Sequence, residues 1–436
     1  MTKSPASMIK TLDYQPSLIK LAAADKTFFP GLLESQVGVG KNARYDILFA
    51  EPQETLLAKN HKELNHLLSA VDNQPAQQTQ PLPFERGWLV YLSYEAVNCW
   101  QPKLSPLTEK QLLAAAIRCA GAIVIDHATN KTFLCGETQQ VIKNIEQRLT
   151  DYADYQLQHN HFRFERVESG QIFQHGIKKC QQYILQGDIY QANLSRRWHY
   201  HSDDTDINAA SLFSRLKKTN PAPFAGLFQY HDWAIISSSP ERLFDIAEGM
   251  VSTRPIAGTH PRGHDVDADQ LQIKHLISDD KEQAEHIMLV DLERNDIGQV
   301  SVPGTVDVNE LMVVESYPHV HHIVSNVQGK LHSDVMISDV IKALFPGGTI
   351  TGCPKIRCMQ IIAEIEQRPR GVYTGSIGYI SHRGQADFNI LIRSLSLQGQ
   401  SLQFNAGAGI VYDSDPIKET EETEHKAEGM IRALVS

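Results

Sequence analysis

The chain has 436 residues, 42% of them hydrophobic and 21% charged, a globular composition that excludes disordered and fibrous classes. A formal net charge of −10 disfavours a nucleic-acid binder resting on phosphate contacts, so a small anionic substrate would need local positive groups. No apolar run approaches the roughly 18 residues of a membrane span, and the opening MTKSPASMIK lacks the apolar stretch of a secretory signal. The expectation is a cytoplasmic protein with neither nucleic acid nor membrane as partner.

In chain order, FFPGLLESQVGVGKNARYDIL reads as a strand and turn of an N-terminal region, and residues 71–84 (VDNQPAQQTQPLPF) read as a loop. The polar run 151–161 divides the chain into an N-terminal region, 1–160, and a larger region, 161–436. Phe173, Ile177, Cys180 and Ile184 follow helical spacing, with Gly187 placed to cap that helix. A strand over 189–198 comes next, with Gln191, Asn193 and Ser195 on one polar face. Toward the C-terminus three strand-like runs, 375–381, 387–397 and 402–412, are joined by the turns HRGQ and QGQS and predict an antiparallel meander. Helices interleave with strands, so the class is α+β. The six cysteines form no C-x-x-C pair and read as small core residues.

In DDKEQAEHIMLVDLERNDIG an aspartate caps a helix that sets Glu282 and Glu285 at i and i+3 on one face, with Ala284, Ile287 and Met288 forming an apolar face. A second pair, Glu419 and Glu422, lies in the final helix with Lys426 one turn on. Four converging carboxylates would suit Mg²⁺, a hard cation that takes oxygen ligands; the same residues also read as two solvated helix faces. FPGGTITGCPKIRCMQII sets glycines before a helix that starts at Pro354 and Lys355, which offers free backbone N–H groups to an anion or is simply a tight turn. Arg393 alternates with Leu391 and Leu395 and suits either a carboxylate fork or a structural ion pair. Glu241, in SSSPERLF, follows an apolar strand and would act as a general acid if burial raises its pKa.

SPERL, PIAGTHPRG, EHIMLVDLERNDIG, VHHIVS, FPGGTITGCPK, YTGSIGY, NILIRSL and AGAGIVYDS followed by ETEETEHK together resemble the chorismate-utilising enzymes, over residues from about 164 to the C-terminus. The resemblance implies a sandwich of two large antiparallel β-sheets flanked by helices, with chorismate as substrate and Mg²⁺ as cofactor. It further implies that Glu282, Glu285, Glu419 and Glu422 hold the metal and that Glu241 protonates the departing 4-hydroxyl. Gln191, His322 and Lys426 match catalytic positions. Thr349, Tyr373, Arg393, Gly258, Thr259, Gly407 and Gly409 match positions lining the substrate, Tyr373 and Arg393 facing the enolpyruvyl carboxylate.

Gln191 stands where the water-using branches of the family carry a lysine base, which points to ammonia as nucleophile. FPGGTITG and NPAPFAGLF resemble the branch that aminates chorismate at C4, the aminodeoxychorismate-forming enzymes. PIAGT resembles instead the anthranilate-forming branch, which aminates C2, because the C4 branch typically reads PIKGT with a covalent lysine where this chain has Ala257. Leu33, Glu34 and Ser35 resemble the LLES segment of the family's tryptophan pocket. The chain shows no glutamine-hydrolysing elbow, so the resemblance implies a glutamine amidotransferase subunit as the partner supplying ammonia.

Overall fold

The computed structural model describes residues 7–36, 44–77, 81–104, 111–316 and 320–435. Its strands run antiparallel throughout and build two large sheets that share the long strands Tyr45–Ala58 and Ala114–Asp126. One edge of Ala114–Asp126 serves both sheets, pairing over 114–119 with Gly87–Leu92 and over 121–126 with Lys131–Gly136. From the shared pair the first sheet continues through Gly31–Glu34, Phe224–Tyr230, Trp233–Ser239, Ser394–Gln398, Ser401–Ile410 and Gln191–His201. The second continues from Gly87–Leu92 through Ser376–Ser381, Ala386–Asn389, Arg242–Ala247, Met250–Thr253 and Val320–Lys330. Val320–Lys330 also pairs with Ile256–Pro261 and Asp307–Ser316. Each sheet thus joins a block of strands from residues 1–160 to a block from residues 161–436, at the Gly31–Glu34/Phe224–Tyr230 pairing in the first and the Gly87–Leu92/Ser376–Ser381 pairing in the second.

The inner faces meet in a core that includes Phe49, Tyr91, Phe228, Ile377 and Tyr379, drawn from both sheets, with Phe84 added from the loop before Gly87–Leu92. A large side chain buried in this way contributes about 1.5–3 kcal/mol relative to exposure. Helices Leu18–Ala24, Ala209–Thr219 and Pro416–Val435 cover the first sheet's outer face, and His61–Val71, Ile337–Leu344 and Asp280–Gly298 cover the second's. The architecture is the α+β sandwich expected from the sequence.

The helix Gly170–Leu185 buries Phe173, Ile177 and Cys180, and Gly187 ends it in the left-handed conformation, φ +78°, with its N–H donating to the Ile184 carbonyl at 3.0 Å. Two expectations need correction. The run 387–397 is not one strand: Ala386–Asn389 lies in the second sheet and Ser394–Gln398 in the first, and the backbone crosses between them over residues 390–393, with Arg393 at φ +50°. Alternation cannot report this, because both halves keep a buried face on either side of the crossing. Nor do Ala284, Ile287 and Met288 form a buried face; Ile287 is 51% exposed and the three line an open groove. The helix Asp280–Gly298 buries the opposite side instead, through His286, Leu289, Val290, Glu293 and Ile297.

Candidate functional site

The site gathers where Ser401–Ile410 pairs with Gln191–His201, Gly407 opposite Ser195 and Gly409 opposite Asn193. Both glycines leave room that other side chains fill. A Cβ on Gly409 would stand 2.5 Å from the Gln191 amide nitrogen, and one on Gly407 would collide with the Tyr373 hydroxyl. Gln191 Nε2 donates to Glu285 Oε1 at 2.8 Å, which brings the Asp280–Gly298 helix onto this strand end. The buried Gln191 Oε1 has no partner among the described residues, a costly state for a polar atom unless a ligand meets it.

The Pro416–Val435 helix reaches the same strand, since Lys426 Nζ donates to the Gly407 carbonyl at 3.1 Å and pairs with Glu422 at 2.6 Å. Tyr373 donates to Asn193 Oδ1 at 3.2 Å, and burial pushes its hydroxyl up to about 12, so it stays a neutral donor. A network that the sequence did not reveal lies behind it. Arg370 pairs with Glu366 at 2.9 Å and donates to the Asn193 carbonyl, while Glu95 accepts from the Arg370 and Gly371 backbone N–H groups at 2.7 and 3.0 Å. Glu366 and Arg370 stand at i,i+4, but only the fold brings Glu95 and Asn193 to them.

Glu241 is buried just beyond the Trp233–Ser239 strand. Burial pushes its carboxyl up to about 7, against the opposing pull of Thr349, Lys426 and Arg393. Thr349 approaches without closing a hydrogen bond of ordinary length, so its buried Oγ1 is a second atom without a close partner. His322, which lies near Arg393, is pushed down to about 4 mainly by burial and is neutral at physiological pH. Across from it the strand Ile256–Pro261 bulges between Ala257 and Thr259. Gly258, at φ +67°, takes the left-handed geometry there, and a Cβ on it would stand 3.1 Å from Glu282 Oε2. The Thr259 side chain lies outside the described residues.

Glu282 and Glu285 therefore flank one side of the site, and Glu419 and Glu422 enter with Lys426 from another. The Glu419 carboxyl is raised by burial and by the like charge of Glu422. Among the described residues no three His, Cys, Asp or Glu side chains are gathered closely enough to enclose an ion.

Leu33, Glu34 and Ser35 lie elsewhere, lining a second cavity of about 90 Å³ between the sheets with Tyr45, Arg242 and Asp387. Glu34 accepts from Lys217 at 2.9 Å, yet burial and nearby Asp46 hold its carboxyl above the usual range. The Ser35 N–H donates to Asp46 at 3.0 Å.

Comparison with known proteins defines the class. The model of the chorismate binding enzyme family matches residues 32–432, and this chain belongs to that family. It is 37% identical to anthranilate synthase component 1 of Saccharolobus solfataricus over 93% of both chains. It is 34% identical to aminodeoxychorismate synthase component 1 of Salmonella typhimurium over the whole of both. The crystal structure of anthranilate synthase component I from Streptococcus pneumoniae superposes with a TM-score of 0.77 at 31% identity, covering 90% of this chain and 93% of that one. No helix among the described residues is long and apolar enough to cross a membrane.

Proposed function

We propose that the chain is a cytoplasmic enzyme that aminates chorismate at C4, giving 4-amino-4-deoxychorismate for p-aminobenzoate and folate synthesis. A glutamine amidotransferase subunit would supply the ammonia. The observation that carries this reading is Glu241, a buried acid held protonated near neutral pH beside Arg393, Lys426 and Thr349. A hydroxyl leaves poorly without a proton, and an acid with a pKa near the working pH is suited to giving one. Arg393 and Tyr373 receive the enolpyruvyl carboxylate, while neutral His322 and the free oxygens of Gln191 and Thr349 offer hydrogen bonds to the ring substituents. Gly258, Gly407 and Gly409 leave room for the ring.

The four carboxylates are oxygen donors of the kind Mg²⁺ takes, and Glu419, raised by burial and then by the like charge of Glu422, is a carboxyl that a divalent cation beside it would return to its ionised form. Glu282, Glu285, Glu419 and Glu422 would hold the ion. When bound, it neutralises and orients the ring carboxylate.

Amination at C4 is favoured by FPGGTITG and NPAPFAGLF. Ala257 supplies no nucleophile, so the covalent lysine route is closed; ammonia attacks C4 directly, or another nucleophile such as water first adds at C2. The same residue favours a second reading, amination at C2 to give anthranilate. Incubating the purified chain with chorismate, Mg²⁺ and ammonium, with and without aminodeoxychorismate lyase, separates them. Lyase-dependent p-aminobenzoate is expected, whereas direct appearance of fluorescent anthranilate would establish the second reading. The Leu33–Glu34–Ser35 cavity is assigned to tryptophan, which calorimetric titration tests.

A further inference from the structure

Behind the wall of the site, Arg370 is enclosed at 2% exposure. Its Nε and one terminal nitrogen hold Glu366 at 3.2 and 2.9 Å, and the same terminal nitrogen donates to the Asn193 carbonyl. The other terminal nitrogen donates to the Ile350 carbonyl at 3.2 Å and to the Thr374 hydroxyl at 3.4 Å. Every N–H that a guanidinium offers is thereby engaged. The rings of Tyr94 and Tyr373 lie against it, their centroids 5.0 and 5.5 Å from its central carbon. A buried cation needs a carboxylate partner, and Glu366 supplies it. The other bonds go to segments that carry the site, since Ile350 follows Thr349 and Thr374 follows Tyr373.

We propose that Arg370 is a positioning residue for Tyr373: it fixes the phenol that receives one end of the substrate and, being enclosed, stays clear of the ligand itself. Its contacts converge on that side chain. The Tyr373 hydroxyl donates to Asn193 Oδ1 at 3.2 Å, and Arg370 holds the carbonyl of the same asparagine. Thr374 takes φ +60°, a strained geometry for a β-branched residue, with its hydroxyl accepting from Arg370 and donating to the Tyr373 carbonyl at 2.6 Å. Glu366 accepts from the Ser195 N–H and hydroxyl at 2.9 and 3.0 Å, which anchors the strand that presents Asn193. The Glu95 carboxyl accepts from the backbone N–H groups of Arg370 and Gly371, just before the tyrosine. A lysine in place of Arg370 would keep the charge, but its compact ammonium carries three donors and cannot span Glu366, Asn193, Ile350 and Thr374 together.

This inference rests on the substrate contact proposed for Tyr373, and two measurements keep the two apart. In turnover of chorismate with ammonium and Mg²⁺, kcat/KM of R370K should fall about 100-fold, as a misplaced contact costs. Y373F should lose about 10-fold or more in the wild-type background but less than about 3-fold in R370K, where the phenol is already out of place. In substrate-free protein carrying 3-fluorotyrosine, the Tyr373 fluorine resonance, identified by its absence from Y373F, should shift or split in R370K. The double variant R370Q/E366Q removes both buried charges together and should repeat both results should R370K not fold. Losses from R370K and Y373F that simply multiply overturn the proposal, and so does a Tyr373 resonance unmoved in R370K. A merely structural arginine would lower the melting temperature and leave the two losses independent. Wild-type protein that fails to turn over chorismate would instead overturn the proposed function, leaving the fluorine spectrum to decide the role of Arg370.

Discussion

Gln191 and Glu285 meet at 2.8 Å, so that an amide stands against the carboxylate and leaves its own oxygen facing the site. The contact orients a proposed metal ligand from a neighbouring strand, the type of support whose loss typically costs 10- to 100-fold in metal affinity or activity. Q191L is expected to weaken Mg²⁺ binding by roughly that factor while leaving the melting temperature nearly unchanged. Calorimetric titration with Mg²⁺, alongside a thermal melt, checks both; unchanged affinity would remove Gln191 from the support of Glu285.

Glu285→Gln keeps the shape of that contact and removes the charge. Turnover should become undetectable at any Mg²⁺ concentration. Full activity in this variant would dismiss the metal assignment.

Burial holds Glu241 up to about 7, from an ordinary value of 4.5. Since the folded state binds the proton more tightly than the unfolded chain, stability linked to this group is fully present below about pH 4.5 and is lost as pH rises through 7. E241Q, which cannot ionise, should therefore gain stability relative to the wild type on going from pH 5 to pH 8, by a few kcal/mol at most. The variant should also lose turnover at both pH values. Melting curves at the two pH values test the sign, and a stability difference, variant minus wild type, that falls with rising pH contradicts it.

Arg242, the neighbour of Glu241, forms a two-point contact with Asp387 at 3.0 and 3.1 Å on the wall of the second cavity. Removing one partner of such a pair leaves a charge poorly compensated. With Asp245 still 3.4 Å from Arg242, D387N should cost about 3 kcal/mol in denaturant unfolding. It should also lower kcat, because the strand that begins at Arg242 fixes the segment carrying Glu241.

The helix Gly170–Leu185 with its glycine cap, and the hairpin from Ser376–Ser381 to Ala386–Asn389, were legible because local periodicity and turn chemistry decide them. The residues gathered at the site were legible only through motif resemblance. The position of Glu282 against Gly258 comes from long-range packing. Alternation carried the expected strand through Arg393 because the crossing between sheets keeps apolar neighbours on both sides. Glu293 sits in the charged run DLERND, which reads as solvated surface; the one available signal was its place on the helical face shared with Glu282 and Glu285. The network behind Tyr373 joins the Glu366–Arg370 pair to Glu95, 275 residues away from Arg370, a link that left no local trace.

Gly407 and Gly409, two residues apart on the same strand face, should fail differently. At Gly409 the nearest obstacle is the tip of the Gln191 side chain, which can swing away, so G409A should fold with a loss of less than about 1.5 kcal/mol. Swinging the amide out also breaks its contact with Glu285 and fills the space left for the ring, and kcat/KM should fall about 100-fold, as misplaced reacting groups cost. At Gly407 the added carbon meets the Leu194 carbonyl at 2.6 Å as well as the Tyr373 hydroxyl, and a backbone atom held in the ladder between Ser401–Ile410 and Gln191–His201 cannot yield without moving the strand. G407A should therefore lose roughly 1–3 kcal/mol of stability in addition to activity. Urea unfolding and steady-state kinetics on both variants decide the matter: equal destabilisation would mean that the Gln191 amide is as rigidly held as the strand backbone.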